Sequence, residues 1–262
     1  MTQLIFLKLG GSFITDKREA HAYRDERMLQ AAQEIASAYS SEMRLLIGHG
    51  SGSFGHVTAA KYGTAQGVQT TEQWHGFAEV SLVARRLNAL VLEALYAAGL
   101  PVIGFQPSAS AHAADGRIEA METALIQQAL DRGLIPLVHG DVAFDRVRGG
   151  TIISTETVFA YLAAQLRPTQ ILLLGEVEGV YDAQGQIIPH ITPHNFPQVA
   201  AALGGSHGAD VTGGMASKVR DMLDLAQKVP NLHVRIVGGT RTGQLESILR
   251  GGFTGGTLIS AS

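Results

Sequence analysis

Short apolar runs alternating with helix-length amphipathic stretches predict an α/β protein, a three-layer sandwich around a mostly parallel sheet. Three observations carry that prediction. Leu4–Leu7, Ile135–His139 and Ile171–Leu174 are apolar runs suited to strands covered on both faces. Helical patterns separate such runs, the longest from Thr71 to about Ala98. Glycine-rich loops follow several of the runs, and such loops present backbone amides to anions.

The elements follow in order. Leu4–Leu7 leads through Lys8 into Gly10, Gly11 and Ser12. The glycines allow a close backbone approach that a Cβ would forbid, so their amides can turn towards an anion beside Lys8. Ser12 adds a hydroxyl, and Lys17 brings a second positive charge nine residues after Lys8. Arg27–Ser40 reads as a helix and Arg44–Ile47 as a strand entering the loop Gly48–His56. In the long helix, Phe77, Val80, Ala84, Leu87 and Val91 fall on one apolar stripe, and Gly99 and Pro101 stop it. Val102–Phe105 and Ile135–His139 are strands, the second opening into HGDVAFD, and Gly149 and Gly150 mark a turn. Thr155–Leu166 reads as a helix, and Ile171–Leu174 as a strand followed by the loop GEVEGVYD. ADVTGGMASKV then precedes a helix to about Lys228, and Val234–Val237 and Thr257–Ser260 close the chain as strands.

Composition excludes several classes. With 20 basic and 23 acidic residues the net charge is −3, which argues against a broad nucleic-acid surface while leaving room for a local cation cluster. The chain has no cysteine, so disulfides, thiolate metal sites and a cysteine nucleophile are excluded and a reducing compartment is favoured. No basic start followed by an apolar signal core is present, and no uncharged apolar run reaches membrane-spanning length, so a cytoplasmic protein without membrane association is expected.

Gly50, Gly52 and Gly55 match the spacing of a dinucleotide fingerprint, but the acidic residue that should follow at a strand end is missing; Glu72, the nearest acid, falls at a helix start. There is no GxxxxGK[ST] motif, which excludes an ordinary P-loop. A third cluster, Gly213-Gly214-Met215, places Lys218 in the first turn or so of the following helix. Glycine-rich loops with converging cations suit phosphoryl transfer, which depends chiefly on positioning and electrostatic stabilisation. An NAD-dependent dehydrogenase and a non-catalytic nucleotide sensor are the alternatives from other classes.

KLGGS, GHGSGSFGH, HGDVAFD, GEVEGVYD and DVTGGMASK, in this order over nearly the whole chain, resemble the amino acid kinase superfamily. The histidine ending GSFGH and the TDK after the first loop are most similar to the isopentenyl phosphate kinases within it; fosfomycin kinases share the pattern and are the nearest alternative. The resemblance implies transfer of the γ-phosphoryl of ATP to isopentenyl phosphate, with Mg²⁺, in a homodimer. It implies one domain over 1–262, an acceptor side over about 1–165 and a nucleotide side over 166–262. Lys8, Lys17 and Lys218 would contact the moving phosphates. Gly10, Gly11, Ser12, Gly52, Gly175 and Gly214 would line the ATP phosphates, and Gly179, Tyr181 and Asp182 the nucleoside. His56, with Ser51 and Gly55, would hold the acceptor phosphate. One departure stands out: the family's Ser-Gly-Asp-Asp is here Ser154-Thr155-Glu156-Thr157, so Glu156 keeps one carboxylate to orient lysines and Thr157 loses the second.

The chemistry needs no general base, because a phosphate monoester with a second pKa near 6 is already largely ionised at neutral pH. Repulsion between anions is the obstacle, and lysines, a histidine, amides and Mg²⁺ would lower it. An apolar tail would need a greasy wall, for which Phe77 and Val80 are the candidates. His49, His112 and His139 read as structural or loop residues, with His139 and Asp141 placed to line the site; no metal-ligating motif is present in the sequence.

Overall fold

The computed structural model describes residues 3–16, 18–204 and 214–262. In chain order these form β1 (Leu4–Leu9), α1 (Gly11–Ile14), β2 (Thr15–Asp16), β3 (Ala22–Tyr23), α2 (Asp25–Ala38), β4 (Arg44–His49), α3 (Gly52–Tyr62), α4 (Thr71–Ala97), β5 (Val102–Gly104), β6 (His112–Ala114), β7 (Arg117–Ala120) and α5 (Ala124–Asp131). There follow β8 (Ile135–His139), β9 (Asp141–Asp145), β10 (Gly149–Ile153), α6 (Thr155–Leu166), β11 (Gln170–Gly175), β12 (His190–Ile191), α7 (Phe196–Gly204), α8 (Gly214–Lys228), β13 (His233–Gly238), α9 (Gln244–Leu249) and β14 (Thr257–Ile259). Eight strands make one sheet in the order β12-β14-β13-β11-β1-β4-β8-β5, parallel except that β14 and β12 run against the rest.

Alternation along β1 fixes the layers. Leu4 and Phe6 pack with Phe159 and Leu162 of α6 and Val219 and Met222 of α8. Ile5, Leu7 and Leu9 pack on the other face, with Met28 and Ile35 of α2, Leu87 and Val91 of α4 and Leu245 of α9. The period of two therefore turns Lys8 towards α6 and α8. Its register partner on β4 is Gly48, where a Cβ would come within 2.5 Å of the Phe159 ring. A larger residue there would push the start of α6 away from Lys8.

A second sheet, β10-β9-β6-β7, flanks the start of α4. Its corner is held by Asp145, whose carboxylate accepts from the backbone N–H groups of Asp115, Gly116, Val147 and Arg148 at 2.7–3.0 Å. Burial works against the charge, but these bonds hold the carboxyl down at about 2. Where this sheet meets α4, Val68, Phe77, Val80 and Val142 form a small core of their own.

The structure moves several expected boundaries. Asp25 and Glu26 start α2 two residues early, where acidic side chains favour the helix amino terminus. Gly149 and Gly150 open β10 instead of making a free turn; Gly149, at a φ of 78°, lies against the Val68 carbonyl. The expected loop Gly48–His56 ends early, because Gly52 adopts a φ of 48° and begins α3, placing His56 on a helix. Among the described residues no helix is long and apolar enough to cross a membrane.

Candidate active site

The chain order reverses at β1, which has β4 on one side and β11 on the other. In open α/β sheets ligands bind beyond the carboxyl ends of strands at such a reversal. A cavity of about 560 Å³ opens there, lined by Lys8, Gly10 to Ser12, Gly50 to Gly52, Gly140, Asp141, Thr155, Glu156, Gly175, Glu176 and Lys218, among others.

Lys8 is 8 % exposed and donates to Glu156 Oε1 at 2.6 Å. Lys218, in the second turn of α8, approaches the same oxygen at 3.8 Å. Burial would raise the Glu156 carboxyl, but Lys8 and then Lys218 outweigh it and hold it at about 2. Glu156 stays at the mouth of α6 because Ser154 caps that helix, accepting from Thr157 N at 3.0 Å. The macrodipole favours a carboxylate at that end. Two ammonium groups thus converge on one carboxylate oxygen on the cavity lining.

The glycine loops pack against one another. A Cβ on Gly11 would lie 2.5 Å from Gly52 N, and one on Gly50 would lie 2.8 Å from Gly11 N. Gly50 N donates to Leu9 O at 3.0 Å. Thr15 clamps the pair: its Oγ1 donates to Gly11 O at 2.8 Å and accepts from Ser53 N at 3.0 Å. The glycines are needed first for this backbone-to-backbone contact, which sets the amides of both loops on the cavity wall.

Comparison with known proteins agrees with this geometry. Residues 3–238 match the amino acid kinase family. The chain belongs to that family. It is 34% identical over 267 residues to the isopentenyl phosphate kinase of Methanothermobacter thermautotrophicus, covering 98% of this chain and 99% of that one. It is 40% identical over 223 residues to the isopentenyl phosphate kinase of Haloferax volcanii, covering 85% and 88%. A solved X-ray structure of isopentenyl phosphate kinase superposes with a TM-score of 0.82 at 31% identity, covering 98% of this chain and 100% of that chain.

Within this amino acid kinase framework the remaining expected residues fall in different places. His56 is exposed on α3 and lines the cavity with Ser51 and Gly55. Val80 lines it too, beside Ala59, Ala84 and Ile152, whereas Phe77 sits behind, packed on Gly150 and in contact with Trp74 and Phe144 at 5.2 and 5.3 Å. Gly179, Tyr181 and Asp182 stand beyond the cavity lining: Asp182 accepts from Gln184 N and Gln186 N, closing its own turn, and Gly179 lies against Ile187 and Thr257. Thr155 is buried and donates to His49 O at 2.6 Å. Gly214 begins α8, while Lys17 and Gly213 lie outside the described residues.

The sequence reading missed Thr15, Asp221 and Glu176. Thr15 belongs to the TDK run, but its clamping role appears only once two loops 38 residues apart are brought together. Asp221 stands one turn after Lys218, a spacing that could have marked it. Glu176 pairs with Arg24 at 2.5 Å, joining the end of β11 to the start of α2.

Proposed function

We propose that the protein transfers the γ-phosphoryl group of ATP to isopentenyl phosphate, giving isopentenyl diphosphate and ADP. The observation that carries this reading is the Lys8–Glu156–Lys218 cluster at the floor of a cavity with one cationic, amide-lined end and one apolar wall. Its relatives named isopentenyl phosphate kinase support the choice of acceptor. An acceptor phosphate oxygen attacks the γ-phosphorus, the bond to the β–γ bridging oxygen breaks, and ADP leaves with that electron pair. The acceptor arrives ionised, so no residue has to remove a proton.

Lys8 and Lys218 would balance charge on the transferred group, the loop amides at Gly11 and Gly52 would orient it, and His56 would donate to the acceptor phosphate. Lys17, Gly10, Ser12, Gly175 and Gly214 are assigned to the ATP phosphates in the same reading, and Gly179, Tyr181 and Asp182 to the nucleoside. The acceptor would lie on the side of residues 1–165 and the nucleotide on that of 166–262.

Among the described residues no group of three or more His, Cys, Asp or Glu could cage a metal. Mg²⁺ would be carried by nucleotide phosphates and water and would neutralise phosphate charge, with Asp221 on the cavity lining as the neighbouring carboxylate. A homodimer and a cytoplasmic location belong to the same proposal. The open sheet edge at β5, with Ile103 exposed, supports the first, and the cysteine-free composition supports the second.

An ADP-release assay over isopentenyl phosphate, dimethylallyl phosphate, fosfomycin, acetylglutamate and UMP tests the acceptor. Isopentenyl phosphate should exceed fosfomycin and acetylglutamate by at least about 100-fold in kcat/KM. A preference for fosfomycin would move the protein to the alternative reading.

A further inference from the structure

His49, the last residue of β4, is 1 % exposed, and its ring stacks at 5.5 Å on that of His139, its register partner on β8. Its two nitrogens face two oxygens. Nδ1 is 3.2 Å from Gly50 O, and Nε2 is 3.0 Å from Oδ1 of Asn88 on α4. Burial, and after it the neighbouring His139, lower the ring's pKa to about 3, so at neutral pH it has one N–H and can donate to only one of these oxygens. The Gly50 carbonyl is fixed by the loop packing, whereas a terminal amide can turn and exchange its oxygen for its nitrogen. Asn88 makes no other hydrogen bond among the described residues, so turning breaks nothing. With the amide turned, Nδ1–H donates to Gly50 O and Nε2 accepts from the Asn88 amide, so both ring nitrogens are paired.

We propose that Asn88 locks His49 in its Nδ1–H tautomer and that the pair positions the Gly50–Gly52 loop. Gly50 and Gly52 both pack on Gly11, and Gly52 starts the helix that carries His56. The same histidine reaches the lysine cluster by its backbone, because its carbonyl accepts from Thr155 Oγ1, one residue before Glu156. A shift at His49 therefore moves the acceptor loop and the carboxylate between the lysines together. Neither Asn88 nor the His49 ring lines the cavity, so both are positioning residues. The kinetic readout below uses the substrate of the proposed reaction; the spectroscopic ones do not.

Histidine ring ¹H–¹⁵N spectra of the whole protein test the lock directly, with His49 assigned by the signals lost in His49→Gln. The wild type should show a protonated Nδ1 and a bare Nε2; an Nε2–H tautomer overturns the proposal. Asn88→Asp is nearly isosteric but can only accept, so it should transfer the proton to Nε2, displace the backbone amide signals of Gly50 to Gly52, and raise KM for isopentenyl phosphate on the order of 10- to 100-fold. Asn88→Leu should show the same kinetic loss. If Asn88→Asp moves the proton yet leaves the loop signals and KM unchanged, the pair positions nothing. Absence of isopentenyl phosphate turnover in the wild type would refute the substrate, while the tautomer and loop signals would still decide the lock.

Discussion

Lys8 Nζ lies 2.6 Å from Glu156 Oε1, although 148 positions separate the two residues in the chain. Strand alternation sends the lysine towards α6, Gly48 leaves room beside it, and a capped helix mouth returns the carboxylate. The pair then draws Lys218 to the same oxygen.

The two lysines should differ when removed. Lys8→Ala and Lys218→Ala should each lower kcat by about 100-fold or more, the usual cost of a lost transition-state charge contact. Lys8→Ala should also lower stability, since it leaves the carboxylate without its close buried partner. Lys218, 40% exposed along its side chain, should unfold at nearly the wild-type temperature when replaced. Wild-type turnover in either variant would remove that lysine from the site.

Acid unfolding reports the same cluster. The Glu156 carboxyl is held at about 2 in the fold, against about 4.3 in an unfolded chain. A depressed folded pKa stabilises above the unfolded value, and that contribution is lost as pH falls from about 4.3 to about 2. It amounts to on the order of 3 kcal/mol. Urea midpoints of wild type and Glu156→Gln, followed through that window, should converge as pH falls. Parallel curves would show that the carboxylate is not paired.

The apolar wall separates two neighbours on one helix. Val80 lines the cavity, so Val80→Ala should improve kcat/KM for prenyl phosphates longer than isopentenyl phosphate. Phe77 is packed behind it, so Phe77→Ala should chiefly destabilise, by about 3–5 kcal/mol. A chain-length change in Phe77→Ala with an unchanged melting temperature would reverse that assignment.

Glu34 offers a test of the scaffold away from the chemistry. Its carboxylate, on α2, accepts from the N–H groups of Gly243, Leu245 and Glu246 at 2.9, 2.9 and 3.3 Å, capping α9 from another element. Glu34→Ala should cost about 2 kcal/mol and lower the melting temperature by roughly 4–8 °C, with turnover at 25 °C retained. An unchanged melting temperature would mean that water replaces the cap at no cost.

What was legible in the sequence had local causes. The apolar run at Leu4–Leu7 and the stripe Phe77, Val80, Ala84, Leu87 and Val91 depend only on neighbouring residues, and all of them are buried. The second sheet was missed because β6 and β7 have three and four residues, too few to show alternation, and its corner depends on Asp145 collecting N–H groups from two loops. His49 and His139 read as structural or loop residues, and in the fold they close two adjacent strands, where only the register β4–β8 stacks them. Glu34 and Thr15 act across chain distances that no spacing rule reaches.

The central claim is phosphoryl transfer to a phosphate monoester on the Lys8–Glu156–Lys218 cluster. Its most direct test is ³¹P NMR of the purified protein with ATP, Mg²⁺ and isopentenyl phosphate. The monoester signal should give way to the paired signals of a diphosphate ester as ADP accumulates in equal amount, and Glu156→Gln should slow this on the order of 100-fold. An unchanged monoester signal, or ADP appearing only with inorganic phosphate, would contradict the account.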